Sequence, residues 1–300
     1  MKRILILGAS GMAGHIITLY LEETGKYKIF NLCHKDALNT KSILCDVTDL
    51  KKLKQILDKI RPDIIINCIG ILNDKSDDDI IKTIYINTFL PKWLEHYYQA
   101  TNCKIIQLST DCVFKGTKGN YRENDVKDED NIYGLSKNLG EIDNSKDFTI
   151  RTSIIGPELK TGKGLFDWFM RQTKEVNGYT NVYWSGITTL ELAHIVDEAI
   201  SQDITGLYNI TQKGKISKYK LLQLVKDVFN KDDILIHQDS SKKSDKSLVT
   251  NRTDFNYKIS DYRTMLLKLK DWMREHIKFY QSYFQDEIKN SRFKGKIKKH

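Results

Sequence analysis

KRILILGASGMAG, residues 2–14, decides the fold. A short apolar run, KRILIL, leads straight into a G-x-x-G-x-x-G turn, and a helical pattern follows over residues 11–23. On its own a glycine triplet is weak evidence, because glycines also serve ordinary turns. Between a strand and a helix each glycine has a task. Gly8 allows the tight turn, Gly11 lets the backbone approach a pyrophosphate, and Gly14 lets the helix pack closely on the strand. The free N–H groups and the dipole at the helix N-terminus then face an anion. The turn, with Ser10 and Met12 beside Gly11, is expected to hold a dinucleotide.

Outward from this turn, apolar strands alternate with helical stretches. Strands are expected at residues 27–33, 63–67, 104–109 and 148–152, and helices at 48–60, 77–99 and 131–142. Such alternation implies right-handed crossovers and a parallel sheet buried on both faces. Beyond Gly156-Pro157 the pattern loosens. Helices are expected at 165–173, 189–200, 217–229 and 261–284, short strands at 206–210 and 234–237, and a polar loop at 240–254. In the last helix Met265, Leu266, Leu269, Trp272 and Met273 recur at helical spacing. The expected architecture is α/β: a Rossmann doubly wound parallel sheet with a smaller C-terminal substrate-binding lobe. Residues 1–155 form the nucleotide-binding domain, completed by parts of 180–212. Residues 156–285 form mainly the lobe, and 286–300 a disordered basic tail.

The chain has 300 residues and a formal net charge of +9. Residues 241–300 hold 16 Lys+Arg against 7 Asp+Glu, while residues 1–240 are balanced. Only 9 of the 48 basic residues are Arg. Groove and phosphate recognition leans on the Arg fork, so a nucleic-acid partner is not expected. No apolar run approaches the roughly 20 residues of a membrane span. Neither a signal peptide nor a span is read, which points to the cytoplasm. The five cysteines (Cys33, Cys45, Cys68, Cys103, Cys112) show no C-x-x-C, and the histidines no metal pattern, so neither disulfides nor a metal are expected.

The second cofactor cue lies after the second strand. An acid there binds the ribose hydroxyls in NAD-specific folds. Here His34 and Lys35 follow Cys33, and a cationic pair suits the 2′-phosphate of NADPH; NADH is the alternative. Asp46, beside Val47, either meets the adenine amino group or caps the next helix. Cys68, Ile69 and Gly70, after Asn67, end a strand where small residues let a cofactor lie close. Asn87 sits mid-helix, where Asn has low propensity.

The reacting groups come from Tyr133-Gly134-Leu135-Ser136-Lys137. Spacing i, i+4 stacks Tyr133 and Lys137 on one helix face. A free Tyr has a pKa of about 10, and a neighbouring ammonium is expected to lower it. Lys137 is also placed to hold the nicotinamide ribose. Thr110, just past a strand end, is placed to hydrogen-bond a substrate carbonyl beside Tyr133.

Together NCIG (67–70), STDCVF (109–114), YREN (121–124), YGLSKNLGE (133–141), RTS (151–153) and GITTLELA (186–193) resemble the extended short-chain dehydrogenase/reductases. The nearest branch is the dTDP-4-dehydrorhamnose reductase family of nucleotide-sugar 4-keto reductases, over residues 1–275. The resemblance implies hydride transfer from NADPH to the C4 carbonyl of a nucleotide-linked 4-keto-6-deoxy sugar, for surface polysaccharide precursors. Tyr133 would be the general acid, Thr110 would orient the carbonyl, and Lys137 would tune Tyr133. An oligomer, if any, would be a homodimer. Two departures stand out. Cys112 and Ile154 replace aromatics that face the sugar in the rhamnose-forming enzymes, which puts L-rhamnose as the product in doubt. GLFDWFMRQ (164–172) with YWSG (183–186) looks more like a branch acting on UDP-linked 2-acetamido-6-deoxy sugars. Asp111, Cys112, Ile154, Trp168 and Trp184 are the candidate substrate contacts, with lobe core as the other reading of both tryptophans. An epimerase or dehydratase of the superfamily and a non-catalytic regulatory subunit are the competing functions.

Overall fold

A computed structural model describes residues 1–72, 76–160 and 163–285. The opening stretch forms β1 (Arg3–Leu7) and α1 (Met12–Thr24). Ile4, Leu5, Ile6 and Leu7 are all fully buried, as a strand covered on both faces requires. The chain continues through β2 (Lys28–Cys33), β3 (Ile43–Leu44), α2 (Leu50–Ile60) and β4 (Ile64–Asn67). Then come α3 (Ile80–Ile84), a π turn (Tyr85–Phe89), α4 (Leu90–Tyr97), β5 (Lys104–Thr110), a 3₁₀ turn (Asp111–Val113), α5 (Ile132–Leu139) and β6 (Phe148–Thr152).

These strands, joined by β10 (Gly206–Asn209), make a seven-stranded parallel sheet in the order β10-β6-β5-β4-β1-β2-β3. The order reverses at β1, so β1 and β4 flank the switch point where a crevice opens outside the carboxyl ends. Gly8 leaves β1 at φ +77°, a region that disfavours any side chain. A Cβ on Gly14 would lie 2.2 Å from the Gly8 carbonyl oxygen, so only glycine lets α1 start this close to the turn.

The helix expected over 77–99 is interrupted. Pro91 lacks the N–H that would bond the Asn87 carbonyl, and its ring would crowd that oxygen. The chain widens into the π turn there. The Asn87 carbonyl instead faces Gly140, where a Cβ would sit 1.9 Å from it.

After β7 (Ile154–Ile155) and α6 (Leu165–Arg171) comes an 11-residue strand that sequence patterning did not reveal, β8 (Lys174–Trp184). Next are β9 (Ile187–Thr188), α7 (Thr189–Ser201), β11 (Ile216–Ser217), α8 (Lys218–Phe229) and β12 (Ile234–Asp245). β12 corrects a second expectation. It pairs in parallel with β8 well past residue 237, through a bulge between Asp239 and Lys243, so 240–245 is strand and not loop. Its HQDSSKKSD segment has no apolar alternation because β12 is an edge strand of the β11-β8-β12 sheet.

The helix expected over 261–284 divides into α9 (Tyr262–Glu275), α10 (Ile277–Tyr280) and a 3₁₀ turn (Gln281–Tyr283). Met265, Leu266, Leu269, Trp272 and Met273 are all buried. α7 and α9 pack on each other, and α7 also packs on α1. The tail 286–300 lies outside the described residues.

Candidate active site

The carboxyl end of β5 delivers Thr110 to the crevice, and the 3₁₀ turn fixes its side chain. Its Oγ1 accepts from the Cys112 N–H at 3.1 Å and donates to Asp111 Oδ1 at 3.2 Å. Asn131 caps α5 by accepting from the Gly134 N–H at 2.8 Å. That cap aims Tyr133 and Lys137, one helical turn apart, into the same cleft. Tyr133 and Thr110 line the same part of that cleft. Lys137 Nζ donates to the Leu108 carbonyl at 2.7 Å.

The cleft has two connected parts. One, of about 510 Å³, is lined by Thr110, Asp111, Cys112, Tyr133, Lys137 and Ile154. The other, of about 560 Å³, is lined by Gly8, His34, Asp46 and Val47. Ser10, Gly11, Cys68, Ile69 and Gly70 line both, and Met12 lines the first, so the cleft runs unbroken along the strand ends. A Cβ on Gly70 would point between Asn87 Oδ1 (3.6 Å) and Lys137 Nζ (4.0 Å). Backbone without side chains at Gly11 and Gly70, beside a helix N-terminus, fits an elongated dinucleotide. Among the described residues no cluster of His, Cys, Asp and Glu could hold a metal, and all five cysteines are free.

Burial raises the pKa of Tyr133, opposed by the neighbouring Thr110 hydroxyl. This corrects the sequence-based expectation of a lowered value, since Lys137 is not among the groups that shift it. A raised pKa keeps the phenol protonated, as a proton donor must be. Burial lowers Lys137 to about 8, with Glu141 acting against it. Burial also lifts Asp111, opposed by Lys218 and Lys246, and lifts the Cys112 thiol to about 12.

Beneath these groups lies a buried ion pair. Arg151, fully buried, meets Glu141 through Nε–Oε1 at 2.8 Å and Nη2–Oε2 at 2.7 Å. Ser109 Oγ donates to Glu141 at 2.7 Å, so the carboxylate joins the end of α5 to both β5 and β6. Burial raises the pKa of Glu141, but Arg151, with Lys127 and Ser109, more than offsets this and holds it below the usual range.

Asn87 and Lys35 sit elsewhere than the sequence suggests, and the structure separates the two readings of Asp46 and of each tryptophan. Asn87 does not line the cleft: its Oδ1 accepts from the Ile71 N–H at 2.9 Å and its Nδ2 donates to Ser136 Oγ at 3.1 Å. It therefore ties the loop after β4 to α5. Lys35 is exposed and off the cleft wall, whereas His34 lines it and meets Asp46 at 3.1 Å. Asp46 does not cap α2; that cap is Asp49, accepting from the Lys52 N–H at 3.0 Å. Trp184 is core, its indole N–H donating to Ser153 Oγ at 2.8 Å. Trp168 lines a separate cavity of about 1050 Å³ between α6, α8, β8 and β12.

Sequence reasoning missed His15. It is fully buried on α1, and burial lowers its pKa to about 4, so it is neutral. Nδ1 lies 2.8 Å from the Gly11 carbonyl oxygen, an obligate acceptor, so Nδ1 carries the proton. Nε2 then accepts from the Tyr280 hydroxyl at 2.9 Å. The C-terminal α10 thereby buttresses the glycine turn. No sequence spacing links residues 265 apart. The same holds for Glu158 and Lys160, which line the cleft from the segment after β7, with Lys160 paired to Asp36 across it.

The RmlD substrate-binding domain family matches residues 1–254. The chain belongs to that family. A dTDP-4-dehydrorhamnose reductase of Aggregatibacter actinomycetemcomitans is 29% identical over 47% of this chain, an alignment that spans about half (46%) of that protein. The dTDP-4-dehydrorhamnose reductase of Salmonella typhimurium is 26% identical over 78% of this chain and 80% of its own length. The crystal structure of dTDP-4-dehydrorhamnose reductase from Bacillus anthracis, in complex with NADP, superposes with a TM-score of 0.77 at 21% identity. It covers 90% of this chain and 99% of that one. No described helix is long and apolar enough to cross a membrane.

Proposed function

We propose that this RmlD-family protein is an NADPH-dependent reductase of a nucleotide-linked 4-keto-6-deoxy sugar. The observation that carries the reading is the placement of Tyr133 and Thr110 together at one end of a dinucleotide-shaped cleft. The glycine turn would hold the pyrophosphate on the N–H groups of α1, Lys137 the nicotinamide ribose, and His34 a 2′-phosphate. Bound NADPH supplies the hydride. The remaining work is done by side chains. Thr110 and Tyr133 converge on the ketone oxygen, and Tyr133 gives that oxygen its proton as the C4–H bond forms. Such a placed acid contributes about 10²–10⁴-fold. With its raised pKa, Tyr133 holds that proton at neutral pH.

For the sugar, we favour a UDP-linked 2-acetamido-6-deoxy-4-keto hexose, used for surface polysaccharide precursors. Cys112 and Ile154 line the catalytic part of the cleft and leave more room beside the ring than aromatic side chains would. NADPH absorbance followed with a panel of dTDP- and UDP-linked 4-keto-6-deoxy sugars tests this reading. Oxidation with a UDP-acetamido sugar supports it in full. Oxidation with dTDP sugars alone refutes the sugar assignment, and none with any substrate refutes the reductase.

A further inference from the structure

Several lysines of this protein are drawn into the interior, and each finds an acceptor. Lys104 donates to Asp203 (2.5 Å) and Ile204 O (3.0 Å), Lys146 to Tyr98 O and Cys103 O (both 2.9 Å), and Lys137 to Leu108 O (2.7 Å). Lys218 differs. Its ammonium is desolvated, which lowers its pKa against the pull of Asp111 and Cys112. Among the described residues it forms neither a hydrogen bond nor an ion pair; it lies 6.0 Å from the centroid of the Trp184 ring. Lys218 is half-buried and faces the lobe cavity, so its ammonium is uncommitted and open to an anionic ligand there.

Its position says which anion. Lys218 is the first residue of α8 and lines the lobe cavity of about 1050 Å³. It lies over the Trp184 ring, whose indole N–H donates to Ser153 on the wall of the catalytic cleft. It therefore stands where the two spaces adjoin. On the lobe side, Trp168 and Tyr179 offer aromatic faces, and Lys242 sits 5.0 Å from the Tyr179 ring centroid. The carboxylate there, Glu175, is taken by His237 at 3.0 Å. Lys242 and Lys243 also line this cavity but are exposed, so solvent screens them.

We propose that Lys218 binds the diphosphate of the nucleotide-linked substrate, with the sugar in the catalytic cleft on one side and the nucleoside in the lobe cavity on the other. This rests on the reading that the substrate is a nucleotide sugar: the diphosphate is the linker, and Lys218 is the cation at the junction. Fixing the diphosphate there also sets how far the sugar reaches toward Thr110 and Tyr133.

The test is calorimetric titration of the NADP⁺-saturated enzyme with UDP, dTDP and uridine, which needs no turnover. Lys218→Met keeps the stem and removes the charge. It should weaken UDP or dTDP binding by about 10–100-fold, the range of one charge-assisted hydrogen bond, with NADP⁺ affinity unchanged. Lys218→Arg keeps the charge, should retain most of the affinity, and serves if the Met variant does not fold. Diphosphate binding unchanged in Lys218→Met overturns the proposal. So does a loss in Lys218→Arg as large as in Met, or no binding of either diphosphate to the wild type. Wild-type binding through Lys218 without oxidation of NADPH by any 4-keto sugar would sink the reductase reading and leave this site standing. Turnover with unchanged diphosphate binding in Lys218→Met does the reverse.

Discussion

The catalytic cleft and the lobe cavity lie side by side and are built in opposite ways. The cleft is made at strand ends by residues close in sequence: Gly8 to Met12, Cys68 to Gly70, Thr110 to Cys112, Tyr133 to Lys137. It stands on a buried ion pair, Arg151–Glu141, with both side chains nearly inaccessible (0% and 3%). The lobe cavity is walled by side chains along the lengths of α6, β8, α8 and β12 and not by strand ends, and its ion pair, His237–Glu175, is largely exposed (48% and 69%). One side is a rigid frame for chemistry that depends on tenths of an ångström. The other is a surface for holding a ligand, where charge and shape matter more than exact registry.

The largest effect that tests this contrast is on the reacting pair. Tyr133→Phe should lower kcat by about 10²–10⁴-fold while NADPH affinity stays nearly constant. An unchanged kcat removes Tyr133 from the chemistry. Next is the frame itself. Arg151→Met takes the bidentate partner from the buried Glu141 carboxylate, leaving it Lys127 and Ser109, and should destabilise the protein by about 3 kcal/mol in denaturant unfolding. His237→Gln on the lobe side should leave stability nearly unchanged. Equal losses would erase the distinction between frame and surface.

The pH profile of kcat/KM for NADPH gives a third effect. Lys137 titrates near 8 in the free enzyme, and the ammonium is the form that donates to ribose hydroxyls. kcat/KM should therefore hold below pH 8 and fall as pH rises through it. A profile flat to pH 10 contradicts the role of Lys137. The smallest effect is at the buttress. Tyr280→Phe takes the donor from His15 Nε2 and should raise the KM for NADPH a few-fold with kcat unchanged, about the worth of one neutral hydrogen bond. No change would mean the glycine turn holds its shape without α10.

The same contrast explains what could be read from the sequence. The sheet was legible because strands buried on both faces must be continuous apolar runs, and the glycine turn because φ +77° at Gly8 and the 2.2 Å approach at Gly14 admit little else. Thr110, Tyr133 and Lys137 were legible because a strand end and one helical turn fix their spacing. Of β12 only residues 234–237 were, since past them the edge strand carries lysines where a core strand carries valines. The π turn follows from Pro91, but only once its Asn87 partner is seen. Burial decides the direction of the Tyr133 shift, and burial is a tertiary property. His15–Tyr280 and Lys218 are long-range facts that leave no local pattern.

The central claim is that hydride reaches a sugar carbon beside Tyr133. The direct measurement is transfer from NADPH carrying deuterium at nicotinamide C4 to a UDP- or dTDP-linked 4-keto-6-deoxy sugar, with the product read by mass and by proton NMR. The account predicts one deuterium, at C4 of the sugar, and its loss in Tyr133→Phe. Deuterium elsewhere, or a sugar left unreduced across the panel, would contradict it.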